Sequence, residues 1–348
     1  MNRNINFTLE EIYFDHIPEN NTVEALRERI FTVNESNFEA VALQVFRLQY
    51  EKVEIYRLYC DGLGRTPATV NSLAAIPFLP IGFFKTHTVI AAGEKPAAIF
   101  ESSGTTGEIT SKHPVADLGL YETSFLKTFE LFYGKPEDHV VLALLPSYLE
   151  RGNSSLVYMA KHLIEKSTQN ASGFFLNDFE KLYEWLDVLK RGKRKVLLLG
   201  VTFALLDFAE RYKLDFPNLV VMETGGMKGR REELTRAEVH QRLRIAFDVK
   251  HIHSEYGMTE LLSQGYSKGE GVFHSPQWMK ILTRDIYDPL MLQEGDATGA
   301  VNVIDLANLY SCSFIATGDL GRLNADGSFE ILGRMDSAEV RGCNLMVV

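Results

Sequence analysis

The chain carries two hydrophobic rhythms in succession. Up to about Leu63 apolar residues recur at helical spacing, and Phe38, Val41, Ala42, Val45, Phe46 and Leu48 fall on one side of a 3.6-residue repeat. Asn21 with Glu24, and Ser36 with Glu39, each offer a capping-box start, a polar side chain paired with an acid three positions on. The face opposite the apolar stripe is not basic, so the helices are expected to pack on the body of the protein rather than on a membrane. A connection punctuated by Pro77 and Pro80 follows.

From Ala97 onward short apolar runs (97–102, 139–147, 195–200 and 218–226), each bounded by polar, Gly or Pro residues, alternate with longer periodic segments (118–132, 178–189 and 203–212). Strand and helix in repetition predict an α/β fold, a mostly parallel sheet with helices on both faces. Such a sheet takes its ligands at the carboxyl ends of the strands. After about Glu294 the rhythm becomes short strands with tight turns (299–305, 312–317 and 322–332), and Asp326-Gly327 is a hairpin signal. Four regions are therefore expected: a helical N-terminal segment of the main domain (1–95), an α/β core (96–294), a small β-rich subdomain (295–333) and a tail (334–348).

Composition narrows the function. The 348 residues are 45% hydrophobic, enough for a large core, and the net charge of -10 leaves no broad basic surface for nucleic acid. Any bound anion must be met by local donors. Cys60, Cys312 and Cys343 are too few and too scattered for a disulfide framework or a zinc site. The acidic, polar N-terminus lacks the apolar run of a signal peptide, and no stretch has the length of a transmembrane helix, so the cytoplasm is the expected location.

Chemistry begins at Ser102-Ser103-Gly104-Thr105-Thr106-Gly107, directly after a predicted strand. Its glycines let the backbone turn sharply, and its hydroxyls and N–H groups can donate to phosphate oxygens. The loop lacks the Gly-Lys-Ser/Thr ending of a Walker A motif and the spacing of a dinucleotide fingerprint. Taken alone, such a string is also compatible with a surface turn.

Its company changes the picture. The loop resembles the phosphate-binding signature of the adenylate-forming superfamily of acyl-CoA synthetases, luciferases and adenylation domains. Further matches follow in that family's order: Thr224-Gly225-Gly226-Met227 resembles its adenine-side glycine segment, Tyr256-Gly257-Met258-Thr259-Glu260 its YGxTE motif, Thr317-Gly318-Asp319 its TGD motif and Gly333-Arg334-Met335-Asp336 its hinge. The resemblance implies an adenylate-forming N-terminal-domain fold, ATP and Mg²⁺ as cofactors, and a nucleotide- and acid-binding role for the α/β core. Each residue suits that chemistry. Tyr256 offers an aromatic face to a purine, Asp319 can accept from ribose hydroxyls, and Arg334 presents a fork to ribose and phosphate oxygens. Glu260 is a hard oxygen ligand for Mg²⁺, and Thr259 can donate to the α-phosphate. The alternatives are a core tyrosine, a turn aspartate, a solvated arginine, and a helix-start acid with its cap.

Two departures stand out. The lysine that closely follows the phosphate loop in many relatives is displaced here to Lys112, and the chain stops at Val348 shortly after the hinge. The usual relatives continue into a C-terminal domain with a catalytic lysine, so either a fragment or a branch lacking that domain is expected. The chain is similar to such a branch, the LuxE-type fatty-acyl-protein synthetases, through the 145–155 segment and through Cys343, which has five residues after it. That resemblance implies activation of a fatty or other hydrophobic carboxylic acid, acyl transfer to Cys343, and a partner such as an acyl reductase or acyl-transferring protein. Neighbouring Arg341 would favour the thiolate; a small buried hydrophobe is the alternative fate of Cys343. Two rivals remain, an aryl- or acyl-CoA ligase of the phenylacetate-CoA ligase type and a non-catalytic ATP-binding scaffold. His251 and His253 alternate along a predicted strand without further ligands in step, so they are expected in the core or a pocket rather than on a metal.

Overall fold

The computed structural model describes residues 23–102, 109–146, 153–225, 234–293 and 295–335. Its first helices are α1 (Val23–Arg29), α2 (Phe38–Lys52) and α3 (Glu54–Gly62), and α2 buries the predicted stripe of Phe38, Val41, Ala42, Val45 and Phe46. Of the two expected capping boxes, the one at α2 needs correction. Asn37 is the N-cap of α2 and makes no side-chain cap bond. The Ser36 hydroxyl donates instead to Asn34 Oδ1 (2.6 Å), and Glu39 Oε1 accepts from Leu73 N (2.7 Å), a long-range partner that outcompetes the local one. At α1, Glu24 does sit in the first turn, while Asn21 lies outside the described residues.

Next come β1 (Leu79–Pro80), α4 (Phe83–Thr86), β2 (Ala98–Glu101) and β3 (Lys112–Val115). The α/β section follows as α5 (Leu118–Tyr133), β4 (His139–Leu144), α6 (Ser155–Ser167), β5 (Gly173–Phe174), α7 (Phe179–Leu189), β6 (Lys195–Val201), α8 (Thr202–Arg211), β7 (Leu219–Thr224), α9 (Arg236–Phe247) and β8 (His253–Tyr256). It leads into β9 (Gly265–Ser267), β10 (Val272–His274), β11 (Met279–Arg284), β12 (Ala297–Asp305), β13 (Phe314–Leu323) and β14 (Phe329–Arg334).

Among the described residues twelve strands join in one sheet, in the order β11-β12-β13-β14-β10-β9-β8-β7-β6-β4-β5, with β1 beside β13. Strands β5, β4, β6, β7 and β8 pair in parallel, as the βα alternation predicts. All six residues of β4 are buried, which is why it reads as a continuous apolar run. Helices cover both faces: α5 meets β8 through Tyr133 and His253, while α9 meets β7 and β8 through His240. Beyond β8 the pairing turns antiparallel through β9, β10, β14, β13, β12 and β11. The predicted Asp326-Gly327 hairpin is present, with Gly327 at φ 81° and Asn324 N donating to Ser328 O at 2.8 Å.

One strand departs from expectation. The 97–102 run does not enter the parallel sheet; β2 pairs antiparallel with β3 in a separate hairpin, from Ala98↔Val115 to Glu101↔Lys112. Four residues with a half-exposed pattern hold too little apolar surface for a central strand. No described helix is long and apolar enough to cross a membrane.

A buried amide on α2 joins the N-terminal helices to the β12–β13 connection. Gln49 Nε2 donates to Asn308 O, Leu309 O and Ser313 Oγ (2.9, 3.1 and 3.0 Å), and its Oε1 accepts from Ser313 N at 2.9 Å. Around it Tyr56 stacks on Phe314, with ring centroids 6.0 Å apart. Gln49→Met keeps the shape and strands these partners, so urea unfolding should show a loss of about 2–4 kcal/mol. Unchanged stability would remove the amide from this role.

Candidate active site

The carboxyl ends of β7 and β8 form the centre of the site. Side chains alternate along a strand, so Tyr256 shares a face with Ser254 and, through the register Glu223↔Ser254, with Glu223; Glu255 and Thr224 take the other face. The Tyr256 hydroxyl donates to Asp319 Oδ2 at 2.8 Å, and Arg334 Nε lies 3.4 Å from Asp319 Oδ1. Burial first, and the Asp319 charge next, hold the Tyr256 hydroxyl in its protonated, donating form. Asp319 is 6% exposed, while the Arg334 side chain is 82% exposed.

Backbone pairing makes this meeting possible. Asp319 and Arg334 are partners in the β13–β14 ladder, and Met335 N donates to Gly318 O at 2.8 Å, so the TGD and hinge segments lie side by side. Thr317 faces inward, its hydroxyl donating to Val301 O (2.9 Å) and accepting from Asp319 N (3.1 Å). A carboxylate has about four acceptor positions, so Asp319 keeps capacity for ribose hydroxyls beyond its two present partners. Tyr256 is 8% exposed, with Phe273 and Phe329 meeting its ring edge-on. The stacking role expected of that ring rests on the small area left open. Gly225, at φ 73°, closes β7, and its carbonyl accepts from the Thr202 hydroxyl.

The Thr259-Glu260 pair is held from behind by residues that no motif marks. His113 Nδ1 donates to Thr259 O at 2.7 Å, and its Nε2 is 3.1 Å from Asn308 Oδ1. Burial drives the His113 pKa down to about 4 against the pull of those two acceptors. Asn308 Nδ2 donates to Glu260 O (2.8 Å) and Cys312 O (2.9 Å). Asp305 accepts from Leu262 N and Ser263 N (2.7 and 2.9 Å) and from the Ser263 hydroxyl (2.6 Å). The fold thereby ties β3, beside the phosphate-loop candidate, to the YGMTE segment.

Glu260 is buried, which raises its pKa; the Ser111 hydroxyl, Arg334 and Lys85 pull it back toward the ionised form. Among the described residues no cluster of three or more His, Cys, Asp or Glu side chains could hold a metal. One buried carboxylate is nonetheless compatible with Mg²⁺, which keeps most of its water and takes few protein ligands. Ser102 and Ser111 close the base of the β2–β3 loop through Ser102 N to Ser111 O (3.0 Å) and Ser111 N to Ser102 Oγ (2.9 Å). Ser103, Gly104, Thr105, Thr106, Gly107, Gly226 and Cys343 lie outside the described residues. Lys112 is 63% exposed and 3.8 Å from Glu101. His253 faces the Tyr133 hydroxyl at 3.1 Å and His251 lies 3.6 Å from Glu270, so the two histidines engage different partners.

Strands β7 and β8 also carry a pair of glutamates, Glu223 and Glu255. Burial pushes Glu223 up, but bonds from His240, Ser254 and Thr202 outweigh it and hold the group ionised. Glu255 accepts from the Thr224 hydroxyl, yet burial, with the Glu223 charge adding to it, raises its pKa to about 7. Its carboxyl lies against Gly257, where a Cβ would come within 2.3 Å of Oε1.

Glu255 thus gives the folded chain a proton that the unfolded chain, with an ordinary value of 4.5, has released. Its contribution to stability is complete below about pH 4.5 and lost as pH rises through about 7. Glu255→Gln cannot ionise. Wild type should lose about 1–3 kcal/mol relative to the variant as pH rises across that window, by urea unfolding. Parallel pH curves would show that Glu255 is not the titrating group.

No protein-family model matches the chain, and neither does any curated protein. Solved structures do. A 2-hydroxyisobutyryl-CoA ligase in the postadenylation state has a TM-score of 0.65 at 14% identity, covering 92% of this chain and 73% of that one. ATP-bound MatB from Rhodopseudomonas palustris has a TM-score of 0.53 at 19% identity, covering 80% and 56%. A long-chain-fatty-acid-CoA ligase from Archaeoglobus fulgidus has a TM-score of 0.50 at 14% identity, covering 68% and 51%. The chain spans about half the length of the MatB structures, 48% of the apo form and 56% of the ATP-bound form. At these identities the likeness establishes architecture: the chain has the α/β fold of the N-terminal domain of adenylate-forming acyl-CoA ligases.

Proposed function

We propose that the protein activates a carboxylic acid with ATP and passes the acyl group to a thiol. The observation that carries this reading is the junction of buried Tyr256 and Asp319 with the exposed Arg334 at the strand ends, with Glu260 close enough to feel the Arg334 charge. Three motif segments converge there in a fold shared with adenylate-forming ligases. Asp319 would accept from the ribose hydroxyls, Arg334 would neutralise ribose-side and phosphate oxygens, and Tyr256 would bound the base. Glu260 would hold Mg²⁺, which when bound supplies positive charge to the phosphate oxygens.

In the first half-reaction a carboxylate oxygen of the acid attacks the α-phosphorus of ATP. The bond from that phosphorus to the bridging oxygen breaks, and pyrophosphate leaves with the electron pair. A thiolate then attacks the acyl carbon of the mixed anhydride, and AMP departs. We assign the thiol to Cys343, with a fatty or other hydrophobic acid as substrate. The other cysteines suit the role poorly: Cys60 and Cys312 are buried, and burial raises both thiols, Cys60 to about 12. The described site contains nothing that excludes coenzyme A as acceptor, and the likeness to CoA ligases favours that second reading.

Pyrophosphate release, screened over short, long and aromatic acids with ATP and Mg²⁺, tests the activation step; release with no acid would reduce the protein to an ATP-binding scaffold. Asp319→Ala should weaken ATP binding by about 1.5–3 kcal/mol while the variant stays folded. Intact ATP affinity would remove Asp319 from the site.

Cys343→Ser separates the acceptors. It should still release pyrophosphate but carry no hydroxylamine-labile acyl group by intact-mass analysis, with Cys60→Ser and Cys312→Ser retaining theirs. Acylation of Cys343→Ser to the wild-type extent would end the self-acylation reading, and thioester formation only with added coenzyme A would favour the ligase.

A further inference from the structure

A cleft of about 290 Å³ opens between α9 and the β9–β10 turn. Arg236, His240 and Arg244 line it at four-residue intervals along α9, a spacing that sets all three on one face of the helix. Ala237 and Ile252 add an apolar wall, and Glu270, the one acid in the lining, lies 3.6 Å from His251. The basic groups retain donors. Arg236 Nη1 donates to Ile331 O at 3.0 Å while its guanidinium lies over the Phe273 ring, 5.4 Å from the centroid, and its Nε and Nη2 have no partner among the described residues. His240 turns Nε2 inward, 3.4 Å from Ser254 Oγ and 3.6 Å from Glu223 Oε1, and leaves Nδ1 without a partner among the described residues. Arg244 forms no ion pair among them. In a chain of net charge -10 such a concentration of unpaired cationic groups runs against the average surface.

Size and chemistry together define the occupant. The volume lies at the lower bound of the roughly 300–1,000 Å³ of ordinary small-molecule sites, so the ligand is small. Planar guanidinium forks match carboxylates through paired N–H donors. Arg236 and Arg244 stand two turns apart, about 12 Å along the helix axis, which suits an anion with a charge at each end better than one compact ion. The wall of Ala237 and Ile252 gives a short carbon chain something to pack on. We infer that this cleft is a second ligand site, for a short dicarboxylate held at its two ends by Arg236 and Arg244 with His240 between them, and that its occupancy strengthens nucleotide binding. The link runs through the same side chains. Arg236 holds Ile331, which stands on β14 three residues before Arg334, and His240 meets Glu223 and Ser254 on the two strands that lead to Gly225 and Tyr256. A ligand that fixes Arg236 and His240 therefore braces the strands beneath the nucleotide site. The binding half of the inference stands apart from the acid-activating reading; the coupling half rests on its ATP site.

The test titrates the full-length protein by calorimetry with succinate, glutarate and inorganic phosphate in turn. A dicarboxylate should bind wild type, and Arg236→Ala and Arg244→Ala should each weaken it roughly tenfold or more, the loss of one charge-assisted contact. Arg244 and Arg242 are both exposed, so neither substitution threatens the fold, and Arg242→Ala, on the same helix but outside the cleft lining, should leave the affinity unchanged. Absence of dicarboxylate binding to wild type would overturn the assignment, as would equal affinity in wild type and Arg244→Ala. An equal loss in Arg242→Ala would overturn it too, reducing the effect to diffuse attraction by the helix. Phosphate binding without dicarboxylate binding would replace the two-ended ligand with a compact one. With the dicarboxylate at saturation, ATP should bind wild type about fivefold or more tightly and Arg244→Ala unchanged. Unaltered ATP affinity in wild type would overturn the coupling. Failure of ATP to bind at all would sink the nucleotide-site reading instead, and the dicarboxylate titration would still decide the cleft.

Discussion

A carboxylate that is 6% exposed is the constraint on which the rest of this site depends. A carboxyl group removed from water needs partners that restore what hydration supplied, and Asp319 draws them from two other strands, Tyr256 on β8 and Arg334 at the end of β14. The need fixes register as well as position. Arg334 stands opposite Asp319 in the ladder, and a slip of one residue would turn its side chain to the other face of the sheet. Three segments far apart in sequence are thereby held where the parallel part of the sheet gives way to the antiparallel part.

A second layer of polar groups performs the same task for Thr259 and Glu260. Backbone carbonyls in an irregular segment after a strand cannot be left unpaired once buried, and His113 and Asn308 supply the donors. Asp305 does the converse, offering one carboxylate to the N–H groups of Leu262 and Ser263. Because His113 belongs to β3 and Asn308 to the β12–β13 connection, a shift at the phosphate-loop hairpin is transmitted directly to Glu260. The same connection is bonded by Gln49, so the N-terminal helices brace the site although none of their residues enters it.

The parts of this structure legible in sequence are those where local pattern and global fold agree. Buried parallel strands read as apolar runs, α5, α7 and α8 read as periodic segments, and the Asp326-Gly327 turn demands a conformation that glycine supplies at φ 81°. Misreadings came where a distant partner outcompeted a local one, as when Glu39 left its own helix start for Leu73 N. Helix α9 had no place in that reading although Thr235 and Glu238 form a full capping box; its arginines dilute the apolar stripe. Motifs located Tyr256, Asp319, Arg334 and Glu260 as candidates. They were silent on His113, Asn308 and Asp305, whose work is to satisfy backbone groups of a segment defined only by folding. A histidine beside the glycine-rich loop was the one available hint.

Charge balance connects these layers. The chain carries a net charge of -10, so its long-range field would not attract the anionic substrates of the proposed reaction. At physiological ionic strength, however, charges more than about 8 Å apart are largely screened when exposed. Distant surface acids then matter little, and the few groups within reach decide. Among them is the Arg334 guanidinium beside Asp319, on an exposed side chain whose charge costs little to maintain. The acids of the site are instead tied to donors, as Asp319 and Glu223 are, or have their pKa raised by burial, as Glu255 does.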